Sequence, residues 1–388
     1  MFKKNIFFKN FLIKRNKLFN KKIIKEYRKI IEEENEIIFS LDKKYNDSFS
    51  SKTLKKFTKI KNVILIGIGG SILGAKAIYN FLNFSKKKFY FVDNYISSSF
   101  RNIKNPKITL VISKSGNTLE TITNSNILIK QKDKNVFITE NKKNYIKILA
   151  NNLKSEVIHH NNFIGGRYSV LSEVGMLPAQ LMGYKPERFR KLNQLVKDKY
   201  FFNSLINNVS NIFQLSKKNK TNSIIMNYDQ KSHDLFNWYQ QLVAESLGKK
   251  KKGILPIISD MPKDNHSLMQ YYLDGVENNF FTFFFVNENN SIKIKKNNLL
   301  KSHDYLKNKN LNQILYSQFI ATQKVFKDKK IPFRSFVINK RNEDTLGQLF
   351  IFFILETILL GKLMKVNPFS QPSVELIKRQ TYKALLSK

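Results

Sequence analysis

Short apolar runs alternate with amphipathic stretches along most of this chain. Runs at residues 63–68, 89–92, 108–112, 135–139 and 156–159 are nearly unbroken by charge. Continuous runs of this kind suit strands buried on both faces of a sheet, as parallel strands are. Helical patterns between them give the rhythm of a doubly wound parallel sheet. A second set at residues 223–228, 254–259, 281–286 and 333–339 repeats the rhythm and predicts a second α/β domain. Ahead of both, residues 23–39 carry Ile23, Ile24, Tyr27, Ile30, Ile31, Ile37 and Ile38 at helical spacing, which predicts one amphipathic helix. Further helices are expected over residues 72–82, 119–131, 173–182, 238–247 and 268–273, with helical material continuing to about residue 216. The pattern divides the chain into an N-terminal helical segment (1–55), two α/β domains (56–205 and 206–345) and C-terminal helices (346–388). The most apolar stretch, residues 349–360, contains Glu356 and Thr357. It falls short of the roughly 20 residues a membrane span requires, so a buried core helix is expected and no membrane partner.

Composition changes this picture little. The 388 residues are 42% hydrophobic and 25% charged, as in an ordinary globular protein. There is no cysteine, which excludes disulfides and thiolate metal sites and fits a reducing compartment. A net charge of +39 invites a nucleic-acid reading. Lys, however, is spread along the whole chain with Asn, Ile and Phe, and no nucleic-acid-binding signature accompanies it. No nucleic-acid partner is expected, although the positive field would steer anionic substrates toward a cleft. The first 22 residues are basic and aromatic, but Lys interrupts every apolar run. A secretory leader is therefore not expected, and the cytoplasm is the default location.

Candidate chemistry gathers where the apolar runs end. Residues 108–112 stop abruptly at Ser113, Lys114, Ser115, Gly116, Asn117 and Thr118, and a helix is expected to follow. Strand, hydroxyl-rich turn and helix N-terminus form an anion site by construction, because the first N–H groups of a helix lack partners and carry partial positive charge. Lys114 adds a full charge. Plain helix capping by Ser and Thr explains the same residues equally well on their own. The earlier loop, Gly67, Gly69, Gly70 and Ser71, resembles a dinucleotide fingerprint but has Ile72 where the third glycine belongs. Further along, Gln241 and Glu245 lie four apart and share a helix face. His266 sits in a polar turn, and Gln371 and Lys378 lie seven apart on the final helix.

Six blocks in order resemble the glucose-6-phosphate isomerase (phosphoglucose isomerase) family. They are GIGGSILG (67–74), SKSGNTLET (113–121), GGRYSVLSEVG (165–175), QQLVAES (240–246) with Gly248 and Lys249, KDNHSLMQ (263–270) and NPFSQPSVELIK (367–378). The resemblance implies two sugar-isomerase (SIS-type) α/β/α domains with parallel sheets, usually in a homodimer. It implies interconversion of glucose 6-phosphate and fructose 6-phosphate through an enediolate, without metal or organic cofactor. Matched residue by residue, phosphate contacts fall on Ser113, Lys114, Ser115 and Thr118, with Gly70 and Ser71 nearby and Gly166 also in the site. Glu245 matches the catalytic base, and His266 and Lys378 match the residues that open the sugar ring. Arg167 matches the group that stabilises the enediolate, and Gln241 and Gln371 match substrate-positioning residues. Glu120 matches a further carboxylate of the site without an assigned role. In the family the residue matching His266 reaches the site of the partner subunit.

The residue types fit this chemistry independently of the resemblance. Moving a carbonyl between C1 and C2 needs a base that takes a weakly acidic C–H proton and returns it to the next carbon. A fixed cation is most useful where negative charge develops on oxygen. A phosphate clamp supplies remote binding energy that orients the reacting carbons. The chain departs from the family in Ser373, Glu173 and Ile377, where Gly, Pro and a small residue are common, and it is shorter than most members. A non-catalytic sugar-phosphate-binding protein is the main rival, and a wider range that includes mannose 6-phosphate is another.

Overall fold

The computed structural model describes the chain apart from residues 15, 97–102, 104–105, 132, 289, 296–299 and 388. Among the described residues, ten strands form two five-stranded sheets. The first holds β2 (Asn62–Ile66), β3 (Lys88–Val92), β4 (Lys107–Ile112), β5 (Lys134–Thr139) and β6 (Glu156–His159), all parallel, in the order β3-β2-β4-β5-β6. The second holds β7 (Asn222–Asn227), β8 (Leu255–Asp260), β9 (Asn279–Val286) and β10 (Phe333–Ile338) in the order β1-β10-β9-β7-β8, where β1 is Ile6–Lys9. The central strands β4 and β9 are buried at every position, which is why they read as unbroken apolar runs.

Helices of six residues or more are numbered α1 (Lys17–Glu32), α2 (Leu73–Leu82), α3 (Leu119–Leu128), α4 (Tyr145–Asn152), α5 (Glu173–Met182) and α6 (Lys199–Lys217) in the first part of the chain. They continue as α7 (His233–Leu247), α8 (Met269–Asp274), α9 (Leu311–Asp328), α10 (Glu343–Met364) and α11 (Val374–Leu386). In the first sheet the chain leaves β2 toward β3 on one side and returns to β4 on the other. The β2 and β4 ends therefore lie side by side, with Ile66 opposite Val111. Such a switch point opens a crevice at the carboxyl ends of the strands.

Three expectations need correction. The N-terminal segment is not purely helical: β1 pairs antiparallel with β10, so the second sheet is mixed rather than all parallel. Ile6 and Phe8 are buried while Phe7 and Lys9 face out. Phe7 and Lys9 thus mark the exposed face of an edge strand, with a period of two. Residues 23–39 form two helices rather than one, because the acidic run at residues 32–34 ends α1 and Asn35 caps a separate short turn, Glu36–Phe39. The expected boundaries at 205/206 and 345/346 fall inside α6 and α10. One continuous hydrophobic core links elements of both sheets through these helices.

Helix α10 lies at the centre of that core. By length and composition it could cross a membrane, yet 94% of its most apolar window is buried within the protein. Trp238 of α7 packs edge-on against Phe350, with ring centroids 4.8 Å apart. The one acidic side chain in its middle, Glu356, is fully buried and pairs with Arg334 of β10. Tyr239 donates to Glu356 at 2.7 Å, and Arg334 donates to Thr282 and Asn208 at 2.9 Å each. A charge in such surroundings persists only when paired and hydrogen-bonded.

Candidate active site

The first half of the site is built at the β2/β4 switch point. After β2 the chain makes a tight turn, Gly69–Ser71, before α2 begins. Gly70 has to be glycine: a Cβ there would lie 2.1 Å from the carbonyl carbon of Gly166. That close approach brings the turn against the segment Gly166–Leu171, which carries Arg167. After β4, Ser113 Oγ and Thr118 Oγ1 lie 3.2 Å apart. Gly116 adopts the left-handed conformation (φ +66°) that closes the loop. Thr118 occupies the N-cap position of α3, but its side chain makes no cap hydrogen bond. Its hydroxyl turns toward Ser113 instead, so the N-terminus of α3 is left open for an anion and the capping explanation loses its bond. Lys114 is half-buried, donates to the carbonyl of Asn162 at 2.7 Å and lies 3.4 Å from Glu140. Ser115 is exposed and accepts from Asn117 N at 3.4 Å, while Ser71 and Glu120 are half-buried.

The second half comes from α7, which packs across α2 and so carries its C-terminal end to Arg167. Asp234 at the start of α7 accepts from Asn80 and lies 3.5 Å from Lys76, both on α2. Glu245 is held at both oxygens: Arg167 Nη1 donates to Oε1 at 2.9 Å, and Gln241 Nε2 donates to Oε2 at 2.9 Å. Gln241 Oε1 is buried without a partner among the described residues. An acceptor left that way is unusual. Arg167, with a side chain only 2% exposed, spends every nitrogen. Nε donates to Ser246 Oγ at 2.8 Å, Nη1 also to Gln371 Oε1 at 2.8 Å, and Nη2 to the carbonyls of Pro368 and Ser370 at 2.6 and 3.1 Å. Tyr168 completes the cluster by bonding Ser246 Oγ at 2.8 Å and the Pro368 carbonyl at 3.1 Å.

Lys249 closes the base of this cluster. It donates to the carbonyls of Ser246 and Asn367 at 2.7 and 2.8 Å. Burial, and then the neighbouring Arg167 cation, push its pKa down to about 8, against the pull of Glu245.

Among the expected site residues, Arg167, Glu245, Gln241 and Gln371 are joined by direct bonds, and Gly70 and Gly166 touch. Ser113, Lys114, Ser115 and Thr118 form one loop on the adjacent strand end. His266 is not drawn into the bonded cluster. His266 follows a short turn after β8 and is exposed, and Lys378 lies on α11, exposed along its described length. Ser246, Tyr168 and Lys249 belong to the cluster without having been picked out. Each neighbours a residue that was, or sits in a quoted motif. The backbone carbonyls at Asn162, Pro368 and Ser370 have no side-chain signal at all. Among the described residues no three His, Cys, Asp or Glu side chains gather as a metal site needs.

The family model for phosphoglucose isomerase matches residues 11–256. The glucose-6-phosphate isomerase of Methanocaldococcus jannaschii is 31% identical over 355 residues, covering 85% of this chain and 86% of that one. That of Fusobacterium nucleatum is 32% identical over 382 residues, covering 89% and 85%. In fold, the chain is similar to a hypothetical protein of Thermus thermophilus, with a TM-score of 0.81, 23% identity and 95% of each chain covered. It is also similar to a glucose-6-phosphate isomerase of Chlamydia trachomatis, with a TM-score of 0.68, 21% identity and 84% and 70% covered. The fold is that of SIS-type phosphosugar isomerases, and the chain belongs to the phosphoglucose isomerase family.

Proposed function

We propose that this chain interconverts glucose 6-phosphate and fructose 6-phosphate, as a step in glycolysis and gluconeogenesis. The observation that carries the proposal is the Glu245–Arg167 pair, held between Gln241 and Gln371 in a chain of this family. The substrate's phosphate sits at the N-terminus of α3, taken by Ser113, Ser115, Thr118 and the ammonium of Lys114. Its remote binding energy presents C1 and C2 of the open-chain sugar to Glu245. Glu245 removes the C2 proton of the aldose and returns it to C1 of the same molecule, while a proton moves between the two oxygens. Negative charge that develops on oxygen in the enediolate is stabilised by the Arg167 guanidinium, whose position is set in advance by five bonds; a direct bond to that oxygen replaces one of the two from Nη1. The unpartnered Oε1 of Gln241 is available to a sugar hydroxyl.

Ring opening falls to His266 and Lys378, as the family resemblance implies. The proposal extends to a homodimer in the cytoplasm, with His266 acting across the subunit interface, as the same resemblance implies. No cofactor is required by this chemistry.

The test is a coupled assay of purified protein with fructose 6-phosphate, following glucose 6-phosphate in the presence of chelator. Turnover that chelator leaves intact is the expected result. Binding of sugar phosphate without turnover would move the assignment to a sugar-phosphate-binding regulator.

A further inference from the structure

Lys114 does not stand alone beside the phosphate loop. Its ammonium is held by the Asn162 carbonyl, and the adjoining residue is tied down from several directions. Asn161 N donates to Glu173 Oε1 at 2.8 Å, and Asn161 Nδ2 donates to Glu36 Oε2 at 2.8 Å. Asn161 Oδ1 accepts from Phe163 N at 2.9 Å, and Ile164 N returns to the Asn161 carbonyl at 3.2 Å. Glu173 is the first residue of α5 and only 1% exposed. Its second oxygen accepts from the Tyr45 hydroxyl at 2.9 Å.

A carboxylate buried this deeply is costly unless donors meet it. Burial pushes its pKa up, while the Asn161 N–H and the Tyr45 hydroxyl pull it back. The positive end of α5 favours the same charge. The carboxylate thus closes the stretch from Asn161 to Glu173, which carries Asn162, the acceptor for Lys114, near its start and Arg167 in its middle.

We propose that Glu173 is a positioning residue that acts through Asn161 and Asn162 to fix the Lys114 ammonium, and so sets the affinity of the site for the substrate's phosphate. This rests on the sugar-phosphate isomerase function proposed above. Glu173 touches no substrate. It holds the backbone turn whose carbonyl aims the lysine.

The experiment compares Glu173→Leu, Glu173→Gln, Lys114→Ala and the Glu173→Leu/Lys114→Ala pair in the full chain. Inorganic phosphate is titrated calorimetrically, and KM and kcat are measured with fructose 6-phosphate. Glu173→Leu removes one hydrogen-bonded anchor and is expected to raise the phosphate Kd and the KM about five-fold, with kcat within about two-fold. Glu173→Gln keeps an acceptor for Asn161 N and restores both constants. In the Lys114→Ala background, Glu173→Leu adds no further loss, because the group it acts through is gone.

An unchanged phosphate Kd in Glu173→Leu overturns the proposal, as does a full additional loss on top of Lys114→Ala. If Glu173→Leu does not fold, Tyr45→Phe removes only the donor to Oε2. It should raise the same two constants about two-fold, at the low end of what one hydrogen bond contributes, and an unchanged phosphate Kd again overturns the proposal. A wild-type chain that binds phosphate without turnover would defeat the isomerase assignment while leaving the phosphate comparison intact.

Discussion

Arg167 Nη1 donates to Glu245 Oε1 at 2.9 Å and to Gln371 Oε1 at 2.8 Å from one nitrogen. The carboxylate that would move the proton and the cation that would meet the developing charge are therefore in contact before substrate arrives. The same guanidinium holds the residue 367–371 segment by two backbone carbonyls, so the site and the C-terminal segment are one unit.

That fork is the first thing to break. Arg167→Lys keeps the charge but cannot span Glu245, Ser246, Gln371 and two carbonyls at once. Turnover is expected to fall by about two orders of magnitude, the size of loss seen when one stabilising donor to a developing oxyanion is removed. Steady-state kinetics with fructose 6-phosphate check it.

Glu245→Gln should retain sugar-phosphate binding, because the amide preserves the shape and the acceptor for Arg167. Loss of the base should lower kcat by about three orders of magnitude, within the range general-base catalysis contributes. Substantial residual turnover would mean that another group carries the proton.

Lys114→Ala is expected to weaken fructose 6-phosphate and inorganic phosphate together, by about ten-fold each, since one charge-assisted bond contributes on the order of 1.5–3 kcal/mol. Equal weakening of both ligands, read by inhibition and calorimetry, ties Lys114 to the phosphate rather than to the sugar.

The lowered pKa of Lys249 makes a pH prediction. Its folded value of about 8 lies below the ordinary 10.5, so the fold prefers the neutral amine. The unfolded chain binds more protons between those values. The group's contribution to stability therefore rises with pH across that window and is lost as pH falls through about 8. Above pH 8 the site also loses a positive charge beside Arg167 and Glu245. A decline in kcat near that pH is expected in the wild type and absent in Lys249→Met, measured as paired pH–rate profiles.

Glu356→Leu leaves Arg334 buried without its carboxylate. Breaking one side of a buried ion pair costs about 3–5 kcal/mol, and urea unfolding should read that loss. Glu356→Leu paired with Arg334→Met should recover much of it, because apolar replacements of both partners restore packing without a stranded charge.

Most of the frame was legible from residues alone. Strands buried on both faces leave unbroken apolar runs, and the serine loop and the glycine turn announce strand ends by chain chemistry that needs no context. The family blocks located Arg167, Gln241, Glu245 and Gln371 by residue type and order. What could not be read was anything that depends on a surface meeting another. Strand β1 was hidden within the expected N-terminal helical segment because an edge strand shows its apolar face only to the sheet it joins. Helix α10 tolerates Glu356 because Arg334, 22 residues earlier, is brought to it by β10. The bonds that position Lys114 and Arg167 end on backbone carbonyls of Asn162, Pro368 and Ser370, and every residue has a carbonyl. By itself the sequence determined which groups are present and which element each rides on, because hydrophobic period and side-chain chemistry are local. The tertiary structure alone decided which groups touch, joining Glu245 to Arg167 while leaving His266 outside their bonded cluster, because contacts between distant segments follow from how buried faces pack together.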